Sequence, residues 1–226
     1  MRYSFIIATF NGSRYIQQTI DSLLFQIGDY DDIIIVNDSS TDETQKIVES
    51  NKTSQIKLIN LPKNIGAAGA RNEGLKLSTS DYVIFLDSDD LWADNIYQTI
   101  NQTLITDPTI DILIGCVEHF FSPEIKDQIS NLYKLPPVSK ARFGGSLVIK
   151  RSALLKSGGF DSAFKNRGEW IDLMSKLLMF EPKILELDAI FWKRRIHDNN
   201  MSHKHKDLSS YIPALRESIM RKQLKK

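Results

Sequence analysis

The chain has 226 residues, which suffices for one large domain with a sizeable core, or one domain plus a tail. Its 42% apolar and 25% charged residues are ordinary for a globular protein, and a net charge of +1 gives no electrostatic reason to expect nucleic acid as a partner. Its single cysteine, Cys116, excludes an intrachain disulfide. No apolar run approaches the ~20 residues of a membrane-spanning helix, and the N-terminal run is too short for a signal-peptide core, so a cytoplasmic location is expected.

Residues 3–8 are apolar apart from Ser4 and predict a buried strand, ending at Thr9, Phe10, Asn11 and Gly12. Helical spacing of Tyr15, Ile16, Thr19, Ile20, Leu23 and Leu24 predicts a helix over 14–26. A second strand, 33–36, closes on Asn37, Asp38, Ser39 and Ser40, and Ser40 or Thr41 is placed to cap a helix over 42–51. A third strand over 56–61 precedes a glycine- and alanine-rich stretch and a helix reaching about residue 78. The fourth strand, in DYVIFLDSDDL, ends abruptly in Asp87, Ser88, Asp89 and Asp90. Alternating strands and helices imply parallel pairing with right-handed crossovers, an α/β layer with helices on both faces. Beyond it the pattern predicts a helix over 92–106, a strand over 111–117 and a polar loop over 122–140. A strand over 145–149, a short helix over 152–157, a helix over 169–180 and a strand over 184–192 follow. The chain then divides into one domain over 1–205, with halves at 1–92 and 93–205, and a basic helix within 206–226.

In a parallel sheet the strand ends share an edge, so Thr9-Phe10-Asn11, Asn37-Asp38-Ser39 and Asp87-Ser88-Asp89 should converge on one crevice. Carboxylates clustered at the end of a buried strand repel one another, and suit a hard divalent cation whose shell phosphate oxygens complete. Between the clusters, residues 64–74 carry Gly66, Gly69 and Gly74, where a ligand could approach the backbone, and Arg71, which could reach a phosphate or a base.

Taken in order, I-I-A-T-F-N-G, I-V-N-D-S-S-T-D, N-x-G-x-A-x-A-R-N-x-G and F-L-D-S-D-D resemble the family 2 glycosyltransferases of GT-A fold, a Rossmann-like, mostly parallel sheet with a smaller acceptor-side region. The resemblance is strong over residues 3–92 and weaker over 144–202. It implies a nucleotide-diphosphate sugar donor, an inverting reaction and Mn²⁺ or Mg²⁺. On this reading Thr9 and Asn11 lie against the nucleoside, Asp38 bonds the base, Arg71 contacts base or phosphate, and Gly66 and Ser88 complete the donor site. Asp87 and Asp89 match D-x-D, with Asp89 the better direct ligand. Ser39 stands where the family carries Gly.

Inversion requires a base on the acceptor side. Relatives show E-D-x-D-L where this chain has Glu169-Trp170-Ile171-Asp172-Leu173, so Trp170 replaces the usual base. Glu169 and Asp172, three apart on one helix face, are the remaining candidates, with Glu169 ahead. Gly158-Gly159-Phe160-Asp161 matches a structural turn of the family. Arg195 to Ser202 resembles its late R-x-H-x-x-N-x-S segment, in which His197 would complete the metal shell or bind the diphosphate, while Asn200 and Ser202 order the loop. The final helix sets Tyr211, Ile212, Leu215, Ile219 and Leu224 against Arg216, Arg221, Lys222, Lys225 and Lys226. Such a helix can lie on the inner face of an anionic membrane, cover its own domain or join a second subunit. Two rivals remain at this level: a metal-dependent sugar nucleotidyltransferase, and a catalytically inactive sugar-nucleotide or glycan-binding module. The sequence leaves the sugar and the acceptor (glycan, lipid-linked, small molecule or peptide) unspecified.

Overall fold

The structure is a computed structural model describing residues 1–51, 53–129, 134–164, 168–198 and 211–224. The first half follows the predicted alternation: β1 (Tyr3–Thr9), α1 (Ile16–Leu24), β2 (Asp32–Asn37), α2 (Thr44–Ser50), β3 (Ile56–Asn60), α3 (Gly66–Leu77) and β4 (Tyr82–Phe85). These four strands pair in parallel, and the registers Thr9↔Asn37 and Asn37↔Asn60 bring their polar ends to one edge. The full sheet has nine strands, in the order β3-β2-β1-β4-β8-β6-β9-β5, with β7 paired to β6.

The second half adds β5 (Leu91–Trp92), α4 (Ile96–Thr106), β6 (Ile112–Phe121), α5 (Pro123–Ile129), β7 (Ser139–Lys140), β8 (Leu147–Lys150), α6 (Arg151–Ser157), α7 (Glu169–Leu178), β9 (Ile184–Ile196) and α8 (Ile212–Leu224). β8 joins the parallel half antiparallel to β4, and β6 and β9 run parallel to each other. Each sheet face carries its own apolar core. One joins β1 and β2 to α1 and α4; the other joins the sheet to α3, α6 and α7. Burial of two-sided strands supplies the driving force here, at about 25 cal/mol per Å² of apolar surface removed from water.

Several boundaries differ from the periodicity, each because of a non-local contact. The helix expected from residue 92 starts at Ile96. Leu91 and Trp92 are drawn into a short strand against β9, with Trp92 packed edge-on to Phe5 at 4.6 Å. β6 and β9 outrun their apolar segments because they pair with each other as far as Phe121↔Ile196. The loop expected over 122–140 contains α5 and β7. Glu124 of α5 pairs with Arg14 at 2.7 Å and accepts a hydrogen bond from the Tyr15 hydroxyl. The strand expected from residue 145 opens as a 3₁₀ turn, Gly144–Ser146. At α2 neither Ser40 nor Thr41 caps the helix: the N-cap position is Glu43, without a side-chain cap bond, and Asp42 just before it accepts from the Thr44 N–H at 3.0 Å.

Candidate active site

The polar strand ends do converge. They open on a cavity of about 1520 Å³ whose lining includes Asn11, Asp38, Gly66, Arg71, Asp87, Ser88, Asp89, Glu169 and His197. Thr9 sits just behind this wall, 2% exposed, with its Oγ1 buried and without a hydrogen-bond partner. An orphaned hydroxyl at a crevice is a group that a ligand or water can satisfy.

Asp38 is 3% exposed, and its two oxygens accept the N–H groups of Ile65 at 2.7 Å and Gly66 at 2.9 Å. The carboxylate therefore fixes the entry to α3, where Gly66 takes φ +83°, a conformation that disfavours side chains. Gly69 and Gly74 serve packing. A Cβ on Gly74 would lie 2.4 Å from Ile6, so its absence lets α3 sit close on the sheet. Asn11, at φ +54°, accepts the Thr41 N–H at 2.8 Å and ties the two loops of the nucleotide side together.

Arg71 is the centre of the site. It is 5% exposed and packs against both Phe160 and Trp170, which meet each other edge-on, with its guanidinium carbon 5.5 and 5.3 Å from their ring centroids. Its Nη2 donates to Asp87 at 2.8 Å and its Nη1 to Glu169 at 3.2 Å. Burial works against this charge, but the Asp87 and Glu169 carboxylates outweigh it and raise the Arg71 pKa. Expected to touch base or phosphate, Arg71 lines the cavity and bridges the D-x-D segment to α7. Trp170, where relatives carry the base, is part of the cage around it.

The acids after β4 divide by role. Asp87 and Asp89 keep side chains 40% and 34% exposed at the cavity. Asp89 meets His197 Nε2 at 2.9 Å, and the His197 ring stacks on Tyr15 at 4.9 Å between centroids. Asp90 turns inward, accepting from Trp192 Nε1 at 2.8 Å and from the Arg195 N–H at 2.7 Å. Its burial, with the charges of Asp89 and Asp87 beside it, holds its pKa well above the ordinary carboxylate range. One of the clustered acids is thus structural. Ser88 contributes its carbonyl, which accepts from the Thr19 hydroxyl at 3.0 Å.

Glu169 and Asp172 do not look into the site together. Glu169 lines the cavity, whereas Asp172 is fully buried behind it, paired with Lys176 at 2.6 Å and Arg221 at 2.7 Å. Two cations enclose its carboxylate, which argues against a role as base. Asn200 and Ser202 lie outside the described residues. The cavity also takes Phe10, Arg142, Phe143, Trp192 and Arg194, none of them a candidate from sequence. Phe10, 52% exposed among polar neighbours, carried the one readable signal. The others meet only through the β6–β9 pairing.

Residues 4–160 match the family described as glycosyl transferase family 2. The chain belongs to that family. It is 31% identical over 216 residues to a poly-β-1,6-N-acetyl-D-glucosamine synthase of Staphylococcus epidermidis, an alignment covering 91% of this chain and 48% of the relative. Over 90 residues, 40% of this chain and 36% of the relative, it is 46% identical to the UDP-Glc:α-D-GlcNAc-diphosphoundecaprenol β-1,3-glucosyltransferase WfaP of Escherichia coli. The chain thus spans about half or less of the length of these relatives. Among solved structures, TarS residues 1–349 of S. aureus in complex with UDP-GlcNAc superposes with a TM-score of 0.79 at 20% identity, covering 98% of this chain and 66% of that one. That likeness shows the GT-A fold. The family placement agrees with the order of the strand-end motifs and with an Asp-Ser-Asp at the end of β4.

Proposed function

We propose that this protein transfers a sugar from a uridine-diphosphate sugar to an acceptor hydroxyl, with inversion, in a reaction that depends on Mn²⁺ or Mg²⁺. The observation that carries the reading is that Asp87, Asp89 and Glu169 line one cavity on the two sides of Arg71. Uridine is favoured because WfaP is named for UDP-Glc and TarS was solved with UDP-GlcNAc. Exposed Phe10 is suited to stack on the base, beside Asn11 and Asp38.

The donor set fits a hard cation. Asp87 and Asp89 each spend one oxygen on Arg71 or His197, and the other is the oxygen a cation would take. Among the described residues no three His, Cys, Asp or Glu side chains form a ready-made cage, so phosphate oxygens of the donor would complete the shell. His197 acts through Asp89 in this arrangement, holding the carboxylate from behind. When bound, the metal neutralises charge developing on the leaving diphosphate.

Glu169 is the base. The acceptor oxygen bonds to the anomeric carbon as the bond from that carbon to the diphosphate oxygen breaks. The electron pair leaves on the nucleoside diphosphate, and the acceptor proton goes to Glu169. Arg71 holds Glu169 by an ion pair and places it relative to Asp87.

No helix among the described residues is long and apolar enough to cross a membrane. The helix α8 docks on α7 through Ala214, Ser175 and the Asp172–Arg221 pair, and turns Ile212, Leu215, Ile219 and Met220 outward. That exposed stripe, beside Arg216 and Lys222, supports peripheral contact with an anionic membrane. Co-sedimentation with phosphatidylglycerol vesicles tests it; equal binding to neutral vesicles counts against the charge argument.

Calorimetric titration of UDP, GDP and TDP with and without Mn²⁺ tests the donor half. UDP binding that requires the metal and is lost in Asp89→Ala is the expected result; metal-independent binding overturns the metal assignment. Glu169→Gln should lower kcat by about 100-fold or more with UDP affinity unchanged. Retained turnover in that variant removes Glu169 as base.

A further inference from the structure

Asp172 is fully buried on α7 and takes no part in the proposed reaction. Lys176 approaches its carboxylate at 2.6 Å, and Arg221 of α8 at 2.7 Å. Neither oxygen has an aligned hydrogen-bond donor, so charge holds them. Burying an ion pair costs free energy, and apolar side chains of similar volume in its place are often as stable or more so. What a buried pair can add is one fixed geometry.

The helix shows what is fixed. Glu169 and Asp172 lie three residues apart on α7, about 60° apart around its axis, so any rotation of α7 that moves one carboxylate moves the other. Leu173, Met174 and Leu177 hold α7 in the apolar core, but apolar contacts are non-directional. Polar contacts set the direction. Arg221 Nη1 also donates to the Ser175 hydroxyl at 2.6 Å, and that hydroxyl donates to the Asp172 carbonyl at 2.8 Å. Lys176 carries the link the other way, donating to the Gly159 carbonyl at 3.2 Å. Next to it, Phe160 exchanges two hydrogen bonds with Asn72, at 2.8 and 2.9 Å, and its ring packs on Arg71. Arg71 returns to Glu169. The contacts thus close a ring around the first turn of α7. On the α8 side, Ala214 is buried where Gly168 lacks a Cβ, while Ile212, Leu215, Ile219 and Met220 face outward.

We propose that Arg221 is a positioning residue: through Asp172 and Ser175 it fixes the rotation of α7, and so aims Glu169 into the cavity. The role of Glu169 in this rests on the glycosyltransferase reading. The C-terminal helix then belongs to the catalytic unit, because the base is directed from a residue about fifty positions further on.

The experiment compares Arg221→Met, Arg221→Lys and the double variant Arg221→Met/Asp172→Leu, which removes both charges and keeps the volume. One readout is UDP release from UDP-N-acetylglucosamine with Mn²⁺, water serving as acceptor. The other is the ¹⁹F spectrum of protein carrying 5-fluorotryptophan. Trp170 follows Glu169 and packs on Arg71, so its resonance reports the rotation without turnover, while buried Trp92 and Trp192 serve as controls. Arg221→Met should lower kcat about 10- to 100-fold, the scale of a base misplaced by ~1 Å, with KM unchanged and only the Trp170 resonance moved. Arg221→Lys should recover part of kcat. The double variant should unfold at the parent's urea midpoint yet keep the low kcat, and it carries the test if Arg221→Met alone fails to fold. Parental kcat in the double variant makes the pair a structural staple and overturns the proposal. So does an unmoved Trp170 resonance. A raised KM with kcat unchanged assigns Arg221 to substrate binding, and also overturns it. Absence of UDP release from the parent is a failure of the donor reading instead, and the ¹⁹F spectra still decide whether Arg221 sets α7.

Discussion

Arg71 holds the two carboxylates between which the reaction is proposed to run. Removing it leaves the buried Glu169 carboxylate without its partner, the situation in which a broken buried pair costs about 3 kcal/mol or more. Arg71→Ala should therefore lower both stability and UDP affinity. Arg71→Lys should recover part of the stability but little of the turnover, because one ammonium cannot span Asp87 and Glu169 as the guanidinium fork does. Wild-type turnover in the lysine variant would show that charge alone suffices. Asp90 gives a contrasting case. It sits in the same acidic run but accepts from two buried donors, Trp192 Nε1 and the Arg195 N–H. Asp90→Ala orphans both, and urea unfolding should report a loss of about 2–4 kcal/mol. An undiminished midpoint would mean that water replaces the carboxylate. From sequence the D-x-D resemblance set Asp87 and Asp89 apart, but the structural role of Asp90 was not legible, because it depends on which way its side chain turns after β4.

At the scale of elements, α7 is where the proposed base, Glu169, and α8 meet. Gly168 takes φ +90° immediately before Glu169, and a Cβ there would fall 2.7 Å from the Ala214 Cβ of α8. Gly168→Ala combines a disfavoured backbone with a collision, so it should cost about 1–3 kcal/mol and loosen α8. Hydrogen exchange should then rise in α8 and in the first turn of α7 together; a rise in α8 alone would show that α7 does not depend on it. The spacing of Glu169 and Asp172 was read correctly as one helix, but of the two alternatives only Glu169 looks into the cavity. Arg221, about fifty residues further on, claims Asp172 by an ion pair that periodicity cannot register.

For the whole molecule, acid stability follows from carboxylates that the fold holds ionised. Hydrogen bonds from Ser122 and then Tyr15, with the Arg14 charge, pull Glu124 down to about 2, and Lys183 with Thr109 does the same for Asp107. A depressed acid stabilises the folded state above its ordinary value of 4.5 or 3.8, and that contribution is lost as pH falls toward about 2. Asp90 runs the other way: its raised pKa favours the folded state at low pH, a contribution lost as pH rises through its folded value. The melting temperature should drop between pH 4.5 and 2 as the depressed acids take up protons, and Glu124→Gln should flatten that drop. A variant as acid-sensitive as the parent would remove the α5 contact from the account.

The sequence by itself determined the parallel half of the sheet, its polar edge and the family. Continuous apolar runs bury only one way in an α/β layer, and the residues after them must collect at the carboxyl ends. It also placed Asp87 and Asp89 at that crevice, since strand ends are local features, while Glu169 was named there by the family resemblance. Tertiary structure alone decided what those residues touch. Arg71 against two carboxylates, Asp90 turned to Trp192 and Asp172 claimed by Arg221 all join side chains apart in the chain. Such partners are chosen by the β6–β9 pairing and the docking of α8, where distance along the chain carries no record of distance in space.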